Sequence, residues 1–160
     1  LQPLKEAANH LFDTSNLRPR ALQKLLSDLV LRADEEPPLR VEVLSFGFKR
    51  GIPREGDLVF DVRFLPNPHY DPDLRTLTGA EPDVRDFVLD NADAREFLDR
   101  VKGLLKFLIP RYAAEPKAYL TIGVGCTGGQ HRSVAVAHAL SVMLREMNYN
   151  VRLRHRELPA

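Results

Sequence analysis

Cysteine occurs once, at Cys126, so no disulfide can close within the chain and the cytosol is the expected compartment. No apolar run approaches the ~18 residues of a membrane span. The N-terminal residues carry no signal-peptide pattern. Charge of one sign is not in excess either: the formal net charge is +1, so any nucleic-acid surface has to come from local clustering. There is no G-x-x-x-x-G-K-[ST] run, no internal repeat and no low-complexity tract. What is present is a chain of 160 residues, 44% hydrophobic and 28% charged, which fits one globular domain with an appended segment. The first residue is Leu1 rather than Met, as in a fragment or a processed product.

The pattern along the chain predicts two parts. Residues 1–36 form a leader, with an amphipathic helix over 17–32 and the linker Glu35-Glu36-Pro37-Pro38 at its end. Residues 37–160 form the main domain. Alternation predicts strands over 39–46 and 57–64, then a proline-rigid loop over 65–72. A short helix is expected over 83–90. A longer one is opened by the D-x-x-E signature of Asp93 and Glu96 and ends at Pro110. A strand over 117–124, a helix over 131–148 and a last strand over 151–156 complete the order. Strands alternating with long helices predict an α/β layered sheet, at least partly parallel, with flanking helices. Ligands in such sheets sit beyond the carboxyl ends of the strands.

The run Gly125-Cys126-Thr127-Gly128-Gly129-Gln130-His131-Arg132-Ser133 lies at such an end, between a strand and a helix N-terminus. Backbone N–H groups and the helix dipole there favour an anion, and Arg132 can add a bidentate grip on phosphate. Three readings stay open. As C-x5-R-S it matches the loop of cysteine-dependent phosphatases, with Cys126 as nucleophile, its thiol pKa lowered at the helix end, and Arg132 on the oxyanions. It departs from them at Gly125, where those enzymes usually carry histidine. The same amides can also bind a ligand without attack. Finally, the glycines can serve a tight turn alone.

Other constellations are weaker. Lys49 and Arg50 follow the first strand in a glycine-flanked loop. Asp61 and Arg63 would share a strand face and either pair or address a ligand, with His69 fixed nearby. Metal binding is not expected, because His131, His138 and His155 lack a ligand spacing. Arg152, Arg154 and Arg156 alternate, so all three face one side. Such a stripe can follow a nucleic-acid backbone or serve as a solvated edge that resists pairing.

Taken together, several segments are similar to the C-terminal domain of the RapZ/YvcJ family, bacterial P-loop nucleotide-binding proteins some of which act as RNase adapters. They are Ser45-Phe46-Gly47-Phe48-Lys49, Asp61-Val62-Arg63-Phe64-Leu65-Pro66-Asn67-Pro68, Leu74-Arg75 with Thr78-Gly79, the Cys126 loop with His131-Arg132-Ser133, and His155-Arg156. The resemblance spans nearly all of residues 41–156. The leader, with Phe12-Asp13-Thr14-Ser15, resembles the end of the family's N-terminal domain, whose Walker motifs are not in this chain; ATP or GTP would belong to that domain, and no cofactor is expected here. The resemblance implies a sensor of glucosamine-6-phosphate or UDP-N-acetylglucosamine. Its pocket would comprise Lys49, Asp61, His69, Cys126, Thr127, Gly128, Gly129, His131, Arg132 and Ser133. It also implies small RNA and an RNase as partners, with Arg152, Arg154 and Arg156 on the RNA, and a homo-oligomer. RNA-binding members tend to end in a basic tail, whereas Glu157-Leu158-Pro159-Ala160 stands here.

Overall fold

The computed structural model describes residues 13–15, 18, 19, 21, 22, 25, 39–115 and 119–159. The chain divides into two units, Leu1–Pro37 and Pro38–Ala160. In the first, the Ser15 amide donates to Asp13 Oδ1 at 2.9 Å, and the amides of Ala21 and Leu22 donate to the Arg18 carbonyl. Most of the helix expected over 17–32 lies outside the described residues.

The second unit is built on four strands: β1 (Arg40–Gly47), β2 (Leu58–Asp61), β3 (Tyr119–Cys126) and β4 (Asn150–His155). Their order is β2-β3-β1-β4 and every pairing is parallel. The helices are α1 (Pro82–Leu89), α2 (Ala92–Ala113) and α3 (Arg132–Glu146). The expected α/β sheet with flanking helices is therefore present, and the sheet is parallel throughout.

Side chains alternate across a strand, and this sorts the sheet into two faces. Val41 and Val43 of β1 share the helix side with Leu120, Ile122, Val124 and Cys126 of β3, in one core with Leu105, Ile109, Leu140 and Leu144. Fully buried side chains of this size stabilise the fold by about 2 kcal/mol each. The alternate residues face the other way. Phe46 packs edge-on to Phe48, with ring centroids 4.9 Å apart, and Glu55 holds Arg154 at 3.0 Å. The β1–β2 connection thus covers part of the face that the helices leave.

Several boundaries differ from the sequence pattern, each for a local reason. β2 stops at Asp61, because the Asp61 carboxylate accepts the Arg63 amide at 2.9 Å and turns the chain. β3 continues through Gly125 and Cys126, which pair with Phe46 and Gly47. Gly125 must be glycine-like there: a Cβ would lie 2.5 Å from Phe46 and 2.6 Å from Phe48. Helix α2 is capped by Asn91, whose Oδ1 accepts the Asp93 amide at 2.8 Å, rather than by Asp93. Asp93 instead lies in the first turn, where its charge suits the helix dipole. Pro110 lies inside α2, at an exposed position in its last turn, and the helix runs on to Ala113.

Candidate functional site

Parallel strands bring their carboxyl ends to one edge, and there the predicted residues gather. β1 ends at Gly47 and leads into the 3-10 turn Phe48–Arg50; β2 ends at Asp61; β3 ends at Cys126 and opens the bend of residues 127–131. Helix α3 starts immediately after that bend. Its N-cap, His131, makes no capping side-chain bond, and the first full helical bond runs from the Ala135 amide to the His131 carbonyl. The amides of Arg132, Ser133 and Val134 have no acceptor within the helix, as at any helix start.

The bend is held from three sides. The Lys49 amide donates to the Thr127 carbonyl at 3.2 Å, and the Gly79 amide donates to the Gln130 carbonyl at 2.8 Å. The Gly129 amide donates to Cys126 Sγ at 3.3 Å, and the same sulfur lies 3.1 Å from Ser133 Oγ. Gly129 has φ of +80°, a conformation open to glycine at little cost. Thr127, Gly128 and Gln130 are exposed, whereas Cys126, Gly129 and Ser133 are buried.

Arg132 lies deeper than its sequence position suggests. The residue is 6% exposed, and its Nη1 donates to the carbonyls of Arg63 at 2.6 Å and Leu65 at 3.1 Å. Nη2 donates to Thr127 Oγ1 at 3.2 Å, and the buried Nε has no hydrogen-bond partner. One cation therefore ties the bend to the segment after β2, and no carboxylate neutralises it through a salt bridge among the described residues. His69 approaches the last residue of the bend, its ring centroid 6.4 Å from that of His131.

Asp61 and Arg63 form a direct pair, with Arg63 Nη2 2.6 Å from Asp61 Oδ2. The pairing follows from the turn after β2 rather than from strand alternation, since Arg63 is outside the strand. The guanidinium lies 4.3 Å from the centre of the Phe48 ring. Hydrogen bonding from Arg63 holds the Asp61 carboxyl below its ordinary range, with a smaller pull from Arg132, so Asp61 is an acceptor at neutral pH.

The arginine stripe stands on the face away from the helices, and two of its members are tied down. Arg154 pairs with Glu42 at 3.1 Å and Glu55 at 3.0 Å. Arg156 donates through Nη2 to the carbonyls of Gly47 and Gly51, and through Nε to Glu157 at 2.9 Å. Arg152 is the outlying member, its side chain 80% exposed and 4.0 Å from Glu42.

Two contacts at the end of β1 were not visible from local spacing. Glu157 is buried against Gly47 and Arg50, and Ser45 Oγ lies 2.8 Å from His155 Nδ1. The contacts join β1 to β4 and to the residues just after it across about 110 positions of sequence, so only the parallel register could have shown them. Burial, and then His138, lower the His155 pKa from its ordinary 6.5. A histidine with a depressed folded value is bound to fewer protons in the folded state, so stability is full above the unfolded value and falls as pH drops below it. The melting temperature should therefore decline between about pH 7 and about pH 5. His155→Gln should remove part of that slope in thermal scans at several pH values, with His138, also lowered by burial, supplying the rest. An unchanged slope would rule His155 out as its source.

Among the described residues, no helix is long and apolar enough to cross a membrane. The model of the RapZ C-terminal domain matches residues 39–159. A nucleotide-binding protein of Rubrobacter xylanophilus is 54% identical, over 99% of this chain and 52% of the relative. Relatives of the same description from Caldanaerobacter subterraneus and Syntrophomonas wolfei are 46% and 50% identical, over 99% of this chain and 56% and 53% of their own length. The chain thus spans about half the length of these curated relatives. The model match covers the whole sheet and the edge where the bend, Arg132 and Lys49 meet; this chain belongs to the RapZ C-terminal domain family.

Proposed function

We propose that the domain is a sensor that binds a phosphorylated aminosugar, free or nucleotide-linked, at the bend before α3. The observation that carries this reading is Arg132: among the described residues, a buried guanidinium without a salt-bridge carboxylate, its Nε unpaired, beneath a helix start that no side chain caps. Positive charge and unfilled donors at one point favour a phosphate. Arg132 shapes the bend and lends it charge. On this reading Lys49, His131 and the exposed backbone at Thr127 and Gly128 touch the ligand. Asp61 and His69 offer acceptors for its hydroxyl or amino groups.

Covalent catalysis has less support. Cys126 is 3% exposed and its sulfur already faces Ser133 and the Gly129 amide. Gly125 leaves no room for a histidine before the cysteine. RNA contact would fall chiefly to Arg152, since Arg154 and Arg156 are engaged within the domain.

Calorimetric titration with glucosamine-6-phosphate and UDP-N-acetylglucosamine tests the reading. Lys49→Ala and His131→Ala are better variants than Arg132→Ala, because their side chains do not hold the bend through any described hydrogen bond. Saturable binding by the native chain should weaken about tenfold in Lys49→Ala. Failure of well-folded protein to bind either compound sinks the proposed ligand class. Sustained aryl phosphate turnover abolished by Cys126→Ser would establish the phosphatase instead.

A further inference from the structure

We propose that Glu157 is a positioning residue for the bend, holding Gly47 and Gly129 in the shape that receives phosphate; this rests on the ligand reading above. Its side chain is 1% exposed, an unusual place for a carboxylate. Three groups account for it. Oε1 accepts from the Gly47 amide at 3.3 Å and from Arg156 Nε at 2.9 Å. Oε2 forms an ion pair with Arg50 Nη1 at 2.8 Å, although without hydrogen-bond geometry.

Each partner belongs to a different support of the bend. Gly47 ends β1, Arg156 follows β4 and also grips the Gly47 carbonyl, and Arg50 shares its turn with Lys49, whose amide holds Thr127. The Glu157 Cγ and the Gly47 amide also fill the space where a side chain on Gly129 would go. A single side chain therefore joins the end of β1, the turn after it and the base of the bend.

The sign of the charge separates positioning from simple electrostatics. A carboxylate beside an anion site repels the anion, so removing it would tighten phosphate binding if charge were its only effect. Positioning predicts the reverse. In the full chain, E157A should speed amide hydrogen exchange at Gly47 and Gly129 about tenfold, and weaken binding of inorganic phosphate and glucosamine-6-phosphate about tenfold. E157Q keeps a carbonyl acceptor for the Gly47 amide and should restore exchange and affinity to within about threefold of the native chain. Folded E157A with native exchange rates, or with tighter phosphate binding, overturns the assignment. Should E157A not fold, E157Q decides: native exchange with affinity within about threefold of the native chain supports it, and faster exchange, or an affinity shifted further in either direction, overturns it. Native protein that binds neither probe refutes the ligand reading, while the exchange rates still decide whether Glu157 holds the bend.

Discussion

Gly129→Ala should destabilise the domain by about 3 kcal/mol and abolish binding at the bend. Two costs add. The φ of +80° is unfavourable for any residue with a Cβ, by about 1–2 kcal/mol. That Cβ would also meet the Gly47 nitrogen at 2.5 Å and the Glu157 Cγ closer still, and the first of these is backbone at the end of a central strand. Relief requires the bend to lift away from β1, which breaks the contact of the Gly129 amide with Cys126. Gly128→Ala is the control, because its Cβ position is open, with nothing within 4 Å. Urea denaturation should place Gly128→Ala near the native chain and Gly129→Ala well below it, with a melting temperature lower by roughly 10 °C. Equal midpoints for the two variants would mean that the bend is not braced against β1.

The second large effect is expected at Arg132. Truncation to Ala removes the donors to the carbonyls of Arg63 and Leu65 and to Thr127 Oγ1, and leaves the buried Leu65 carbonyl and two part-buried acceptors without this partner. That costs about 2–3 kcal/mol. Arg132→Lys keeps the charge but presents one nitrogen in place of a planar fork, so it cannot reach both the segment after β2 and Thr127. Denaturation midpoints should show Arg132→Lys recovering less than about half of the lost stability. Phosphate-ligand affinity should fall in both variants, more in Arg132→Ala, where the charge is lost as well. Full recovery of stability by lysine would show that charge, and not the fork, organises the bend.

Much of the scaffold was readable from pattern. Alternation from Val41 to Phe46 marks β1, and the apolar repeat from Val136 to Leu144 marks α3, because both elements bury one or both faces against the same core. The bend announced itself because glycines between a strand and a helix have few other uses. Boundaries were less legible where a side chain outcompeted the periodic signal, as when Asp61 captures the Arg63 amide, or Asn91 takes the cap that Asp93 was expected to hold.

Alternation by itself determined that Arg152, Arg154 and Arg156 face one way, and the order of strands and helices determined an α/β sheet whose parallel strands end at one edge. Tertiary structure alone decided what those side chains do. The parallel register sets Glu42 opposite Arg152 and beside Arg154, so members of the stripe meet carboxylates of the same domain. The same register carries Glu157 beneath Gly47, and packing turns Arg132 inward to the carbonyls of another segment. Local sequence records spacing along the chain, whereas these contacts depend on which strands become neighbours, and burial of the shared core settles that.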